Sequence, residues 1–245
     1  SMVRLEAFAE VESTNDYLLE QAPPPIRRFR VALADFQTAG RGRMDRRWDA
    51  PPGSGLCLSI AYTFQRLPAQ VSALTLAIGQ ALIDGLARSG YCGIKLKWPN
   101  DLMAKNRKLG GVLTELRTGG APTVVVGLGL NVDFATVGGT LPARAIDLRS
   151  LGDRPIDRVL LTATVIECLH SCIAGFERDG FAQWFDRWPE YDWLRDQQVR
   201  VDTGNGAMEG IAAGIDRDGA MLVLADSRQH RVISGSVVPV ADANP

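Results

Sequence analysis

Apolar residues recur at Val71, Leu74, Ile78, Ala81, Leu82 and Leu86, the spacing of one helix face, and Gly90 supplies a stop. A helix is therefore predicted over 70–90. A second is predicted from about Pro155 to Arg178, where Val159, Ala163, Ile166, His170, Ile173 and Phe176 trace an apolar face and Pro155 suits the first turn. Between them the apolar runs shorten and fill with Val, Leu and Ile. Residues 94–98, 111–116 and 123–132, bounded by Gly119-Gly120 and Pro122, read as strands. Strands and helices mixed without strict βαβ alternation predict an α+β arrangement, a sheet covered on one face by helices.

After the aromatic-rich stretch 181–193 the pattern changes again. Val199-Arg200-Val201, 211–215 and 221–224 are short strands separated by Asn205-Gly206 and Asp218-Gly219, dipeptides suited to hairpins. This predicts a small β-barrel or hairpin cap, with domains at 2–195 and 196–245.

The 245 residues are 46% hydrophobic and 22% charged, which excludes disorder, coiled coil and collagen. The longest uninterrupted apolar run, 124–130, falls short of the roughly 20 residues that span a bilayer, and 1–10 lacks the apolar core of a signal peptide. A cytoplasmic protein without a membrane partner is expected. Cys57, Cys92, Cys168 and Cys172 form no CxxC pair and are expected reduced and mostly buried. Cys168 and Cys172 share a helix face from which His170 points away, poor geometry for one zinc. No residue is assigned to a metal, and neither His170 nor His230 is given a catalytic role.

The 27 basic and 28 acidic side chains nearly cancel, so no global field would hold the chain on nucleic acid. Basic charge is nevertheless concentrated. Arg41, Arg43, Arg46 and Arg47 stand against one acid, Asp45; Lys95, Lys97, Lys105, Arg107 and Lys108 stand against Asp101. Alternating Gly and Arg over 40–43 lets backbone amides and guanidinium forks approach a phosphate or carboxylate closely. The same composition also suits a solvated loop or a nucleic-acid arm. Its place before Trp48, Pro51-Pro52 and the apolar 56–60 makes it an insertion between strands. Lys97-Trp98-Pro99-Asn100-Asp101 sets a lysine, an amide and a carboxylate about a proline turn, and Lys108 precedes Gly110-Gly111. Each part alone also reads as ordinary turn or surface chemistry.

Taken in order, Glu12-Ser13-Thr14-Asn15, Gln37-Thr38-Ala39-Gly40-Arg41-Gly42-Arg43 with Trp48, Lys97-Trp98-Pro99-Asn100-Asp101, Lys108-Leu109-Gly110-Gly111-Val112-Leu113 and Gly127-Leu128-Gly129-Leu130-Asn131-Val132 resemble the biotin protein ligases over nearly the whole chain. The form resembled is the monofunctional biotin–[acetyl-CoA-carboxylase] ligase without an N-terminal DNA-binding domain, since Ser13 begins so near the start. The resemblance implies a catalytic domain similar to class II aminoacyl-tRNA synthetases and a C-terminal SH3-like β-barrel. It implies ATP and biotin as substrates with Mg²⁺. Biotinyl-5′-AMP would form and then pass to a lysine of the biotin carboxyl-carrier domain of acetyl-CoA carboxylase or a related carboxylase. A homodimer is compatible with it.

By resemblance, Lys108, Arg43 and Asp101 are the catalytic residues. Lys108 would bridge the biotin carboxylate and the α-phosphate, and Asp101 would hold the incoming lysine ammonium and help its deprotonation. Ser13, Thr14, Asn15, Gln37, Gly40, Arg41, Gly42, Arg43, Lys108 and Gly111 would bind biotin. Arg41, Arg43, Trp48, Asn100, Lys108 and Asn131 would bind the nucleotide, with Arg41 and Arg43 over the adenylate and Trp48 flanking the adenine. Met44-Asp45 departs from the family loop, which commonly has a glycine there; Asp45 is expected to set a negative charge beside the adenylate, with Arg46 neutralising it. A lipoate or octanoate ligase of the same superfamily, and a non-catalytic biotin sensor, are the competing readings.

Overall fold

In the computed structural model residues 4–117, 119–135, 143–152, 155–204 and 206–242 are described. Seven strands, β1 (Arg4–Val11), β2 (Phe29–Gln37), β3 (Gly55–Thr63), β4 (Ile94–Lys97), β5 (Asp101–Ala104), β6 (Arg107–Leu116) and β7 (Thr123–Asn131), form one sheet. Their order is β1-β2-β3-β7-β6-β5-β4. β1 runs parallel to β2 and the remaining pairs are antiparallel. Every residue of β3 is buried, because both faces of the sheet are covered at its centre.

Side-chain alternation along the strands decides what each face carries. Val31, Leu58, Ile60, Leu128 and Leu130 point to one face, where they join Ile78 and Leu82 of α2 (Leu74–Arg88) and Leu169 and Phe176 of α3 (Arg158–Asp179) in a single buried cluster. The intervening Ala32, Ala61 and Val125 meet Leu18 of α1 (Thr14–Glu20) on the opposite face. Helices thus lie on both faces, not one. The α1 face is only partly covered, and the uncovered part holds the site described below.

α2 keeps the predicted stripe. α3 does not: Val159 is 81% exposed and Ala163 is exposed, while Leu161, Val165, Cys168, Leu169 and Cys172 are buried alongside Ile173 and Phe176. Its first turn is capped by Asp157, which accepts from the Leu160 amide, and Pro155 lies outside the helix. Both α3 and the segment 71–88 are long and apolar enough, by composition, to cross a membrane, although no uninterrupted apolar run in the sequence is. Their buried stripes are packed against the sheet and against each other.

The aromatic-rich stretch forms α4 (Ala182–Tyr191), whose Trp184 carbonyl accepts from Gln80 of α2. Beyond it, β8 (Gln198–Asp202), β9 (Ala207–Ile215), β10 (Met221–Ala225), β11 (Arg228–Val232) and β12 (Ser236–Pro239) make a second, antiparallel sheet ordered β11-β10-β9-β8-β12. The Asp218-Gly219 turn joins β9 to β10 as expected, and the Gly219 carbonyl accepts from Trp98 Nε1 at 2.9 Å, docking this sheet beside the proline turn. The Asn205 half of the other expected turn lies outside the described residues. Cys57, Cys168 and Cys172 are buried and Cys92 is exposed; all are free. His170 packs on Phe29, with ring centroids 4.4 Å apart.

Candidate active site

The open part of the α1 face is floored by two cross-strand rows. Cys57, Gly129, Gly111 and Asp101 are successive register partners across β3, β7, β6 and β5; Ser59, Gly127 and Leu113 form the next row. Three glycines in these rows remove side chains where others must pass. A Cβ at Gly127 would stand 2.2 Å from Asn15 Oδ1, and one at Gly129 would stand 2.3 Å from the Trp48 ring. The alternation Gly127-Leu128-Gly129-Leu130 therefore serves two surfaces at once: leucines into the core, bare backbone to the cleft. The cleft encloses about 950 Å³ of non-atom space, its solvent-filled mouth included.

At one end the cleft is lined by neutral polar groups. Gln37 Oε1 accepts from the Thr14 amide at 2.7 Å and from Thr14 Oγ1 at 2.9 Å. Thr14 Oγ1 is 2.6 Å from Ser59 Oγ, which donates to Asn15 Oδ1 at 2.6 Å. Asn15 Nδ2 donates to Glu115 Oε2 at 2.7 Å. Ser13 caps α1 by accepting from the Asp16 amide, which fixes Thr14 and Asn15 at the helix start. Five side chains from α1, β2, β3 and β6 thus form one hydrogen-bonded chain at the edge of the sheet floor.

The Gly-Arg segment is an ordered hairpin. Arg41 pairs with Arg47, Gly42 N donates to Arg46 O at 2.6 Å, and Trp48 N donates to Gly40 O at 2.9 Å. Met44 and Asp45 occupy its two-residue tip with φ of 56° and 57°, the left-handed pair that a type I′ turn demands. Gly40 permits the close approach of its own backbone, since a Cβ there would lie 2.5 Å from Trp48 O. Met44 lines the cleft, whereas Asp45 is exposed and outside it. The expected Asp45–Arg46 pair is not formed; Arg46 reaches Ser236 Oγ at 3.1 Å on the second sheet. Gly235, Ser236 and Val237 complete the cleft wall there.

The other end is charged. A bulge in the β5–β6 pairing makes Leu109 the extra residue, so Leu109 enters the core and Lys108 turns to the cleft. Its Nζ lies 2.7 Å from Asp101 Oδ1 and 5.9 Å from the centroid of Trp48. The Lys108 carbonyl accepts from the Ile146 amide and from Asn131 Nδ2, which also donates to Ile146 O. Asn131 is buried and outside the cleft lining, so its visible work is to fix the Lys108 backbone. Asn100 lines the cleft and ties the proline turn to β6 through its Nδ2 bond to Val112 O at 3.0 Å.

The two arginines of the motif differ. Burial lowers the Arg43 guanidinium's pKa, Asp101 opposes this and Arg46 adds to it, with a net downward direction. No side-chain hydrogen bond or ion pair of Arg43 is formed among the described residues, leaving a charged, half-buried guanidinium at the cleft. Arg41, expected over the adenylate, also lines the cleft, but its guanidinium is bound by Asp16 at 2.5 and 2.9 Å and by Glu115 at 2.8 and 2.9 Å. Arg41 and Arg43 thus share a motif but not a set of partners.

Ser13, Thr14, Asn15, Gln37, Arg41, Gly42, Arg43, Trp48, Asn100, Asp101, Lys108 and Gly111 all line one cleft. Ser59, Gly127, Gly129 and Glu115 were not singled out as site residues. Ser59 carries the clearest overlooked signal: a hydroxyl in the middle of the otherwise apolar run 55–61. Among the described residues no group of three or more His, Cys, Asp or Glu is placed to hold a metal ion.

A family model described as the biotin/lipoate A/B protein ligase family matches residues 7–133, and one described as the biotin protein ligase C-terminal domain matches 196–238. The chain is 35% identical over 219 residues to the bifunctional ligase/repressor BirA of Escherichia coli, covering 88% of this chain and 68% of that one. It is 32% identical to the biotin–[acetyl-CoA-carboxylase] ligase of Mycobacterium tuberculosis over 241 residues, 96% of this chain and 88% of that protein. A similar solved structure is the biotin protein ligase of Aquifex aeolicus in complex with biotin and ATP, with a TM-score of 0.82, 26% identity, and coverage of 96% and 99% of the two chains.

Proposed function

The chain belongs to the biotin/lipoate A/B protein ligase family, and on that premise we propose that it activates biotin with ATP to biotinyl-5′-AMP and transfers the biotinyl group to a carrier-protein lysine. One observation carries the reading: a single cleft joins a neutral, hydrogen-bonding end at Gln37, Thr14, Ser59 and Asn15 to a cationic end at Lys108 and Arg43. A molecule with a polar uncharged head, an apolar tail and a terminal carboxylate fits that polarity. A dithiolane or fatty acyl tail offers no donors or acceptors matched to this polar end, which disfavours lipoate. The sensor reading has no feature in its favour, since Lys108, Arg43 and Asp101 meet in the cleft.

In the first step a biotin carboxylate oxygen attacks the α-phosphorus, the bond to the bridging oxygen breaks, and pyrophosphate leaves. Two anions must approach, and preplaced cations offset their repulsion. Lys108 is assigned to the carboxylate and α-phosphate, and Arg43 to the adenylate phosphate. Trp48 flanks the base across Gly129, Asn100 borders the nucleotide, and Asn131 holds Lys108 in place. Mg²⁺ would be carried by phosphate oxygens and neutralise their charge, because Asp101, the carboxylate on this floor, is ion-paired with Lys108. In the second step the carrier lysine, after losing a proton beside Asp101, attacks the acyl carbon and AMP leaves.

The seven-stranded unit, 2–195, would be the class II synthetase-like catalytic domain and 196–245 the SH3-like barrel. The carrier domain of acetyl-CoA carboxylase or a related carboxylase would be the acceptor, in the cytoplasm. A single-turnover incubation with labelled biotin and ATP-Mg²⁺, with and without a carrier domain, tests it. Labelled biotinyl-AMP that moves to the carrier lysine is expected; bound biotin without either product, or lipoate used in preference, rejects it.

A further inference from the structure

We infer that Asp16 and Glu115 are positioning residues: together they clamp Arg41, pin the 40–48 hairpin over the cleft, and tie its closure to the polar end where the ligand head lies. This rests on the reading above for the ligand and adds two residues and a coupling route to it.

The geometry excludes Arg41 as a free anion ligand. Its Nε and Nη2 engage both oxygens of Asp16, and Nη2 lies within 2.9 Å of both oxygens of Glu115. One guanidinium shared by two carboxylates carries a net negative charge, so a phosphate drawn to that spot would meet repulsion. The clamp joins three separate elements, α1 through Asp16, β6 through Glu115 and the hairpin through Arg41. It therefore fixes the base of a segment whose tip is a two-residue turn.

The clamp is also continuous with the cleft floor. Glu115 Oε2, one of the oxygens near Arg41, accepts from Asn15 Nδ2, and Asn15 Oδ1 accepts from Ser59 Oγ. A head group that bonds to Asn15 or Ser59 changes what Glu115 must satisfy, and Glu115 in turn holds Arg41. Ligand at the polar end and hairpin closure are thus linked through two side chains. An acyl adenylate is an activated anhydride that must be kept from bulk water until an amine arrives, and a pinned hairpin serves that end.

The test separates retention from chemistry. Asp16→Asn and Glu115→Gln, which keep size and remove charge, are each expected to speed release of labelled biotinyl-AMP about threefold and together about tenfold, as for partly exposed ion pairs acting in a network. Adenylate formation at excess ATP should fall much less, and Asp16→Glu, which keeps the charge, should restore retention. Adding Arg41→Gln to the double variant should cause no further release. Unchanged release in the double variant, or Arg41→Gln alone slowing adenylate formation while the double variant retains the intermediate normally, overturns the clamp. A ligand-free readout distinguishes this failure from failure of the ligase reading: trypsin should cut after Arg43, Arg46 and Arg47 several-fold faster in the double variant. Equal cutting rates reject the clamp whether or not the protein makes an adenylate.

Discussion

Lys108 Nζ lies 2.7 Å from Asp101 Oδ1, so two side chains assigned to different half-reactions neutralise each other on the cleft floor. The pair explains how a carboxylate can stand on the floor of an anion site: it is silent while Lys108 covers it. A biotin carboxylate and an α-phosphate together offer Lys108 a stronger partner than one aspartate does. On the proposed mechanism this would free Asp101 as the anhydride forms, when the acceptor ammonium needs a counter-charge.

Lys108→Ala is expected to slow adenylate formation by about 100-fold or more, the scale of removing one preorganised charge from a developing anion. Asp101→Asn should instead depress transfer to the carrier lysine, with adenylate formation changed only a few-fold because Lys108 is still present. Rapid-quench measurement of each half-reaction checks both. Equal losses in the two steps for Asp101→Asn would remove its assignment to transfer.

Ser59 sits fully buried between Thr14 and Asn15, within 2.6 Å of each. Ser59→Ala leaves both partners one bond short inside the polar end. A buried group left unsatisfied costs about 1–3 kcal/mol, which corresponds to a rise of about 5- to 150-fold in the biotin dissociation constant. ATP affinity should be unaffected, since the adenylate end lies across the floor. Titration calorimetry with biotin and, separately, with a non-hydrolysable ATP analogue gives the split; equal weakening of both ligands would place Ser59 outside head-group recognition.

Motif spacing brought Thr14, Gln37, Asp101 and Lys108 to one cleft because tight turns and glycines leave local traces in sequence. Ser59 left only a hydroxyl in an apolar run and Glu115 left nothing, since each acquires its partners only through long-range contacts, Ser59 with Gly127 beside it in cross-strand register and Glu115 with Arg41 reached from 74 residues away. The α3 face failed for a related reason. Val159 and Leu161 both begin plausible apolar stripes, and the sheet against which the helix packs selects the second. The two faces of the main sheet were likewise hidden: α1 is seven residues long and too short to announce itself by periodicity.

Glu177 joins α3 to the sheet, accepting from Tyr62 at 2.5 Å, from the Gln65 amide at 2.6 Å and from Arg27 at 3.1 Å. Burial raises the Glu177 carboxyl's pKa, but the Tyr62, Gln65 and Arg27 bonds outweigh it and hold the group below its ordinary value. A depressed carboxylate stabilises the fold above its unfolded pKa, near 4.3, and loses that contribution as pH falls through the folded value. Glu177→Gln should therefore lower stability by about 1 kcal/mol at pH 7, and the gap to the parent should close as pH drops below about 4. Urea unfolding of both proteins from pH 7 to pH 3 measures it; a gap that widens in acid contradicts the sign.

Met44 and Asp45 hold left-handed backbone at the hairpin tip, φ 56° and 57°. A residue with a Cβ costs roughly 1–2 kcal/mol in that region, Asp somewhat less than Met because its short polar side chain tolerates it. Asp45 lies outside the cleft lining, so its backbone conformation, not electrostatics at the adenylate, is the expected lever. Asp45→Gly and Met44→Asn with Asp45→Gly restore the residues a type I′ turn prefers. Both should shift the hairpin toward its closed form and slow biotinyl-AMP release, the double change by about threefold to tenfold, equivalent to roughly 1 kcal/mol. Asp45→Asn, which removes the charge but keeps the backbone constraint, should leave release nearly as in the parent. If Asp45→Asn and Asp45→Gly slow release equally, charge rather than turn geometry governs retention.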